Sequence, residues 1–242
     1  MIISIMNQKG GCGKTVTALS VASVLRSMGK TALLVDLDPQ ASLSMLLNLD
    51  DSRTIADVLK GKFHITEVVQ TVEYNGDAVA GSAELPLLSE VEIFHLKSVL
   101  KEIEPYYDYV IIDSTPTLSA VGMSILKATN KLIIPSLASL PSILAIRQFG
   151  DMITIAKQSN PSLEVAGVLL VMYDKRSIVT RAMKETAEEV AKKIGTNVFD
   201  TCIRKGVAVE EALASFKGLI EYAPNSNPAI DYTDFVKELL GV

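Results

Sequence analysis

Short apolar runs alternate along the chain with longer stretches in which apolar positions recur every three or four residues. The apolar runs cover residues 2–6, 31–35, 109–112, 132–135 and 165–172. The helical stretches cover residues 15–28, 91–103, 121–128, 143–158 and 179–194. Runs rich in Val, Ile and Leu are typical of strands that are buried on both faces. We therefore predict an α/β fold with a doubly wound, mostly parallel central sheet and helices on both faces.

Glycine and proline mark where several of these elements end. Gly29 follows the first helical stretch, and Pro161 follows the stretch that precedes the last apolar run. Both residue types commonly follow a helix C-terminus. Residues 225–228 contain Asn, Ser and Pro, so we expect a loop there, followed by a final helix at roughly residues 232–240.

The section from residue 48 to residue 88 has a less regular pattern. It contains a short possible helix at residues 54–59 and the turn signal Asn75-Gly76. No repeat, low-complexity tract or Pro/Ser-rich linker divides the chain. We therefore expect residues 1–242 to form one domain.

Composition narrows the classes of function. The net charge of −5 excludes a wholly basic coat for nucleic acid, although a local basic patch remains possible. Two cysteines, Cys12 and Cys202, are too few for a disulfide framework or a four-ligand metal site. The first predicted strand leaves no room for a signal peptide, and no apolar run reaches the ~18 residues of a membrane helix. We expect a reduced, cytoplasmic protein.

A glycine-rich loop connects the first predicted strand to the first predicted helix. It consists of Lys9, Gly10, Gly11, Cys12, Gly13, Lys14 and Thr15. Strand, glycine loop, Lys-Thr and helix form the layout of a phosphate-binding loop, in which backbone N–H groups converge on an anion. Lys14 would supply a charge for the β- and γ-phosphates, and the Thr15 hydroxyl suits Mg²⁺. A glycine-rich turn that binds nothing would not need Lys and Thr at this spacing.

This loop departs from the ordinary G-x-x-x-x-G-K-[ST] pattern. Gln8 occupies the position of the first glycine, and a second lysine, Lys9, directly precedes the Gly-Gly pair. The sequence thus has the deviant Walker A form.

Aspartates follow two further predicted strands. Asp36 and Asp38 end the second strand, and Asp113 ends the third. Because ligands gather at the carboxyl ends of strands in doubly wound sheets, these carboxylates can reach a metal ion and an attacking water. An apolar strand ending in aspartate is the Walker B pattern, which assigns Asp113 to the Mg²⁺ shell. The alternative for Asp38 is a turn residue before Pro39. Residues 114–116 would form a switch segment that senses the γ-phosphate.

These motifs carry a family resemblance. Residues 7–15, 36–40 and 111–116 resemble the ParA/Soj branch of the deviant Walker ATPases, which includes MinD. Residues 167–176 and 217–222 resemble a later strand-loop and the C-terminal segment of that family. The resemblance therefore covers essentially the whole chain and implies an ATPase that uses ATP and Mg²⁺ and forms a homodimer with ATP.

The resemblance also implies roles for individual residues. Lys9 would reach across the dimer to the partner's phosphates, Lys14 would hold the phosphates of its own subunit, and Asp38 would orient the water. Thr15, Asp36 and Asp113 would serve the metal. The nucleotide-binding residues would be Lys9, Gly10, Gly11, Cys12, Gly13, Lys14, Thr15, Val16, Met172, Arg204 and Gly206.

Some of these positions differ from the family pattern. Cys12 replaces the usual Val, and Val16 replaces a second Thr. Arg204 and Gly206 stand where the family places a Pro and an Asn beside adenine.

The resemblance further implies nonspecific DNA binding by the ATP-bound dimer. One basic residue that the family uses for this purpose falls on Arg176, whereas another falls on Ala208. Arg204, Lys205 and Lys217 could substitute for it, or all of these could be solvated surface charges. The implied partner is a ParB-like or other cargo-adaptor protein with a basic N-terminal tail, and the ATP-bound form would associate with the nucleoid.

Other branches of the superfamily need features that differ from those of this chain. A membrane-binding, MinD-like ATPase needs a basic amphipathic C-terminal helix, but residues 231–240 contain three acids and one lysine. A metal carrier needs paired cysteines, and a tyrosine kinase needs a C-terminal tyrosine cluster. Two classes remain: an ATPase that segregates or positions DNA or another cargo, and a regulatory ATP-bound dimer that binds a protein partner without DNA affinity.

Overall fold

One seven-stranded sheet forms the centre of the fold. A computed structural model describes residues 1–73, 75–114 and 119–242. Within these ranges the strand order is β3-β4-β2-β5-β1-β6-β7, and every pairing is parallel except that of β3 with β4. The strands are β1 (Ile2–Ile5), β2 (Ala32–Leu37), β3 (Val69–Val72), β4 (Gly76–Val79), β5 (Tyr109–Ser114), β6 (Lys131–Leu137) and β7 (Glu164–Val171). This confirms the mostly parallel sheet.

Helices cover both faces of the sheet. They are α1 (Lys14–Ser27), α2 (Ser42–Leu46), α3 (Ile55–Leu59), α4 (Glu90–Phe94), α5 (Leu96–Ile103), α6 (Ala120–Ala128), α7 (Leu140–Ser159), α8 (Ile178–Lys193), α9 (Ala208–Ala214), α10 (Leu219–Tyr222) and α11 (Asn227–Leu240). Alternate residues of a strand point to opposite faces. Accordingly Leu33 and Val35 pack in one core cluster with α5, α6 and α7, while Leu34 packs in another with α1 and α11. The doubly wound prediction is confirmed.

The five predicted strands and most predicted helices are found within a few residues of their expected bounds. Gly29 follows α1, and Pro161 follows α7, as expected. The single helix predicted over residues 91–103 is wrong. Ser89 caps α4, and His95 separates α4 from α5, because the His95 N–H bonds to the Glu92 carbonyl in a tighter turn at 3.2 Å.

The predicted loop at residues 225–228 is also partly wrong. Ser226 is the N-cap of α11 and its side chain accepts a hydrogen bond from the Ala229 N–H. Asn227 and Pro228 form the first turn of the helix, where proline is tolerated because its missing N–H would have no intrahelical partner. The final helix therefore begins several residues before residue 232.

The irregular section between residues 48 and 88 contains the β3–β4 hairpin. Of the turn predicted at Asn75-Gly76, Asn75 lies between these two antiparallel strands and Gly76 is the first residue of β4. The short helix is confirmed as α3, and Thr54 and Asp57 form its capping box. Among the described residues there is no helix with the length and apolar character that a bilayer crossing requires.

Candidate functional site

The glycine loop lies between β1 and α1 and leaves the start of α1 open. Gly13 is the N-cap of α1 in a left-handed conformation with φ 78°, which favours glycine. No side chain caps this helix start. The first N–H groups of α1 thus keep their hydrogen-bonding capacity for an anion.

The two lysines of the loop take different positions. Lys14 is buried, and its ammonium group lies 3.4 Å from the Lys9 carbonyl oxygen. The Lys9 ammonium donates instead to the Ser142 hydroxyl in the first turn of α7, at 2.9 Å. In this conformation Lys9 is held by its own chain.

Cys12 has a packing role in the loop. Its side chain is fully buried, and the thiol donates to the Lys9 carbonyl at 3.0 Å. Burial raises the pKa of the Cys12 thiol, which keeps it protonated and unreactive.

Three carboxylates meet at the carboxyl ends of β2 and β5. Asp36 and Asp113 are register neighbours on these strands, and Asp38 directly follows β2. Burial raises the pKa of Asp113 to about 7, and the charges of Asp36 and Asp38 add to this increase. The Thr15 hydroxyl and the Lys14 ammonium act in the opposite direction. Asp113 therefore lies close to the glycine loop as well as to the other two carboxylates.

Asp113 has an unused ligand atom. Its Oδ1 accepts a hydrogen bond from the Ser114 N–H at 3.0 Å, whereas its buried Oδ2 has no hydrogen-bond partner among the described residues. A carboxylate and a hydroxyl, here that of Thr15, are oxygen ligands that suit Mg²⁺. The described residues contain no group of three His, Cys, Asp or Glu side chains that could hold a metal alone. This donor set fits Mg²⁺ that takes its remaining ligands from phosphate and water.

Asp36 is fixed by partners that its motif does not indicate. Its Oδ2 accepts from both the N–H and the hydroxyl of Ser44, at 2.9 and 2.7 Å, and its Oδ1 accepts from the Asp38 N–H. The Gly81 N–H donates to the same Ser44 hydroxyl, and a Cβ at Gly81 would lie 2.8 Å from the Asp36 carboxyl carbon. Ser44 and Gly81 follow no recognisable motif, so sequence reasoning missed them.

An apolar cavity of about 230 Å³ adjoins the glycine loop. Five of the predicted nucleotide-binding residues line it: Gly13, Val16, Met172, Arg204 and Gly206. Its other lining residues are Val171, Ile203, Lys205, Val209, Glu210, Leu213 and Tyr232. Residues that are far apart in the chain thus form a space beside the phosphate loop that is suited to a base and ribose.

The predicted basic residues divide between two surfaces. Lys175 and Arg176 are exposed in the loop after β7, and the Arg176 guanidinium pairs with Asp174 at 3.2 Å. A groove of about 560 Å³ contains both and shares Arg204 and Lys205 with the apolar cavity. Lys217 lines a different groove, together with Leu47, Val72 and Phe216. Of the predicted switch segment, Ser114 ends β5, while Thr115 and Pro116 lie outside the described residues.

Comparison with known proteins identifies relatives over the full length of the chain. A family model described as an AAA domain matches residues 1–165. The chain is 32% identical over 251 residues to the sporulation initiation inhibitor protein Soj of Bacillus subtilis, with 98% of this chain and 97% of Soj covered. It is 30% identical over 250 residues to the chromosome partitioning protein ParA of Myxococcus xanthus, with 99% and 87% covered.

A solved structure extends the similarity to the fold. Cobyrinic acid a,c-diamide synthase of Mycobacterium smegmatis with bound ADP and magnesium has a TM-score of 0.83 at 26% identity, covering 99% of this chain and 93% of the synthase. The similarities to Soj and ParA extend over nearly the whole sequence and include the glycine loop. The chain therefore belongs to the ParA/Soj family of deviant Walker A partition ATPases.

Proposed function

We propose that this ATP hydrolase binds Mg²⁺-ATP across the glycine loop and the adjoining cavity, and that ATP joins two copies into a dimer that binds nonspecific DNA. The observation that carries the nucleotide assignment is the convergence of three features: the open start of α1, the buried Lys14, and the unpartnered Oδ2 of Asp113. Soj of Treponema pallidum and ParA of Myxococcus xanthus are chromosome-partitioning proteins, and the proposed function gives this chain a task of the same kind.

The residues of the site divide the chemistry between them. Lys14 and the N–H groups of α1 hold the β- and γ-phosphates, while Thr15 and Asp113 hold Mg²⁺. Bound Mg²⁺ would neutralise charge that develops on the phosphate oxygens. Asp36, whose oxygens are already hydrogen-bonded, would support the metal site without a direct bond to Mg²⁺.

Asp38 orients the attacking water. Its carboxylate is nearly buried, and its Oδ1 accepts from the Gln40 N–H at 2.9 Å, which fixes the side chain at the end of β2. Phosphoryl transfer needs positioning and electrostatic stabilisation rather than a covalent protein intermediate. A fixed carboxylate at this edge of the sheet supplies the positioning.

Lys9 links nucleotide binding to dimer formation. Two facing glycine loops would bring the negative charge of two triphosphates together, and a lysine from each subunit would offset it. Lys9 would leave Ser142 to reach the partner's phosphates. The contact with a neutral hydroxyl at the positively polarised start of α7 is weak enough to be exchanged for a phosphate.

The groove beside the cavity supports the DNA assignment. Lys175, Arg176 and Lys205 line it, and it shares part of its wall with the cavity that would hold the base. Nucleotide binding can therefore influence this basic surface directly. The dimer would present two copies of this basic surface to one duplex, so phosphate contacts that are too weak to hold the monomer would hold the dimer. We propose nucleoid association in the ATP-bound state, and a ParB-like or other adaptor with a basic tail as the stimulating partner.

A protein-binding regulator without DNA affinity is the second candidate. Exposed aliphatic side chains favour it: Ile178, Val179 and Val207 are 75%, 67% and 70% exposed, and they lie in or next to the segments that carry Arg176 and Lys205. Apolar side chains clustered on a surface are typical of protein contacts.

Electrophoretic mobility shifts on two unrelated duplexes separate the two candidates. With ATP and Mg²⁺ we expect binding to both duplexes that weakens steeply from low to moderate salt, because phosphate contacts release counterions. Arg176→Glu should weaken both complexes equally and leave basal ATPase activity nearly unchanged.

Lys193→Glu is the matched control, because it makes the same charge change at the far end of the 16-residue α8, roughly 24 Å away. If the wild type shifts neither duplex with any nucleotide, DNA is not the partner and the protein-binding regulator is favoured.

A further inference from the structure

Two adjacent residues of α11 hold different parts of the nucleotide cavity's lining by hydrogen bonds. The Asp231 carboxylate accepts hydrogen bonds from the backbone N–H and the guanidinium of Arg204. The Tyr232 hydroxyl shares a hydrogen bond of 3.1 Å with the Thr17 hydroxyl in α1. Arg204 and Tyr232 both line the cavity. One helix therefore connects the 204–206 loop to the helix that follows the glycine loop.

The contact between Arg204 and Asp231 differs from a loose surface ion pair. Its guanidinium distances are 2.6 Å from Nη2 to Oδ1 and 2.8 Å from Nε to Oδ2, and the backbone N–H lies 2.8 Å from Oδ2. The Asp231 residue is only 8% exposed. Two parallel charge-assisted bonds to a nearly buried carboxylate fix both the direction and the position of the loop.

A second contact brings the same loop against α11. A Cβ at Gly206 would lie 2.8 Å from Cγ and 3.0 Å from Cδ of Pro228. Any other residue would push the loop away from the helix. Thus the first turns of α11 hold both ends of the 204–206 loop, one by charge and one by close packing.

The geometry points to Asp231 as a positioning residue for the nucleoside end of the ATP site. Through Arg204, Asp231 holds the 204–206 loop, so that the loop is already ordered when adenine binds. This inference rests on the proposed function. A loop that is ordered before binding discriminates between bases. Rearranging such a loop to fit a ring with different edge groups costs binding free energy. Asp231 would thereby favour ATP over GTP without touching either nucleotide.

Removing the Asp231 carboxylate should weaken only the binding of the part of a ligand that the 204–206 loop contacts. If the released loop adopts its binding conformation about a tenth of the time, the apparent affinity falls about tenfold. Inorganic tripolyphosphate needs Lys14 and the start of α1 but not the 204–206 loop. Its affinity should therefore not change.

The test is calorimetric titration of ATP, GTP and inorganic tripolyphosphate, each with Mg²⁺, into wild type, Asp231→Asn and Asp234→Asn. Asp234 is an exposed aspartate on the same helix and serves as the matched control. For Asp231→Asn we expect an ATP affinity about tenfold weaker, a smaller ratio of ATP to GTP affinity, and unchanged tripolyphosphate affinity. Asp234→Asn should match the wild type for all three ligands.

Two results would overturn the inference: an ATP affinity of Asp231→Asn equal to that of the wild type, or an equal loss for ATP and tripolyphosphate. A wild type that binds no ATP would instead overturn the proposed function. The double variant Arg204→Ala/Asp231→Ala covers the case in which Asp231→Asn does not fold, because it leaves no unpaired buried charge. It should show the same selective loss for ATP, and an unchanged ATP affinity would contradict the proposal.

Discussion

The Asp113 carboxylate is buried close to two other carboxylates, and this makes the stability of the protein depend on pH. Its pKa of about 7 in the folded protein lies above the ordinary value of 3.8. Between these values the native state keeps a proton that the unfolded state releases. The free energy of unfolding of the nucleotide-free protein should therefore decrease as pH rises from about 4 to about 7, by an amount on the order of a few kcal/mol.

Urea denaturation at several pH values measures this effect, with Asp113→Asn as the comparison. The asparagine variant should lack this part of the pH dependence. If the wild type and the variant lose stability in parallel over the same pH range, then Asp113 does not carry the raised pKa.

Asp38 should separate nucleotide binding from hydrolysis. Asp38→Ala removes the carboxylate that orients water but none of the proposed phosphate contacts. We expect ATP affinity close to that of the wild type and a turnover slower by about 10²-fold or more. Single-turnover hydrolysis with a parallel binding titration checks this, and Asp51→Ala is a control at an exposed aspartate nearby in the chain. Full ATPase activity in Asp38→Ala would show that another residue positions the water.

Among the residues of the site, the sequence predicts those that follow strand ends. Lys14, Asp38 and Asp113 belong to motifs whose chemistry depends on local spacing, and the sheet brings them together as expected. Asp231 and Tyr232 belong to no such motif, because they reach the site by packing of a helix more than 200 residues away from the glycine loop.

At the scale of elements, buried strands were easier to predict than exposed ones. The apolar runs of β1 and β5 are buried on both faces and produce an unbroken pattern. Strand β3 is a partly exposed sheet edge with Gln and Thr at its centre, so its pattern does not differ from that of a loop. The sequence does not indicate the early start of α11, because Asn, Ser and Pro favour turns as well as helix N-termini.

The N-cap of α11 provides a stability test at this scale. Ser226→Ala removes the acceptor of the Ala229 N–H and should lower the free energy of unfolding by about 1 kcal/mol. Urea denaturation at neutral pH measures the change. Thr233→Ala, inside the same helix, loses only a bond to a carbonyl that the helix already satisfies, and should cost less. An equal or larger loss for Thr233→Ala would contradict the assigned start of the helix.

At the scale of the whole molecule, similarity to relatives establishes more than local geometry does. The family and the ATPase class follow from similarity over nearly the entire chain. The assignment of residues 1–242 to one domain stays a prediction, as do the DNA surface and the dimer. The DNA surface and the dimer depend on how separate copies and partners meet, and side-chain patterns within one chain do not determine that.

We propose that ATP joins two copies of this chain through Lys9. The most direct test is the mass in solution, measured by light scattering during size exclusion, in the Asp38→Ala background that preserves bound ATP. With ATP and Mg²⁺ we predict a dimer of twice the 26.1 kDa chain, and a monomer without nucleotide. Adding Lys9→Ala should keep ATP binding but leave the protein monomeric. A mass that does not respond to ATP, or a Lys9→Ala protein that dimerises normally, would contradict the account.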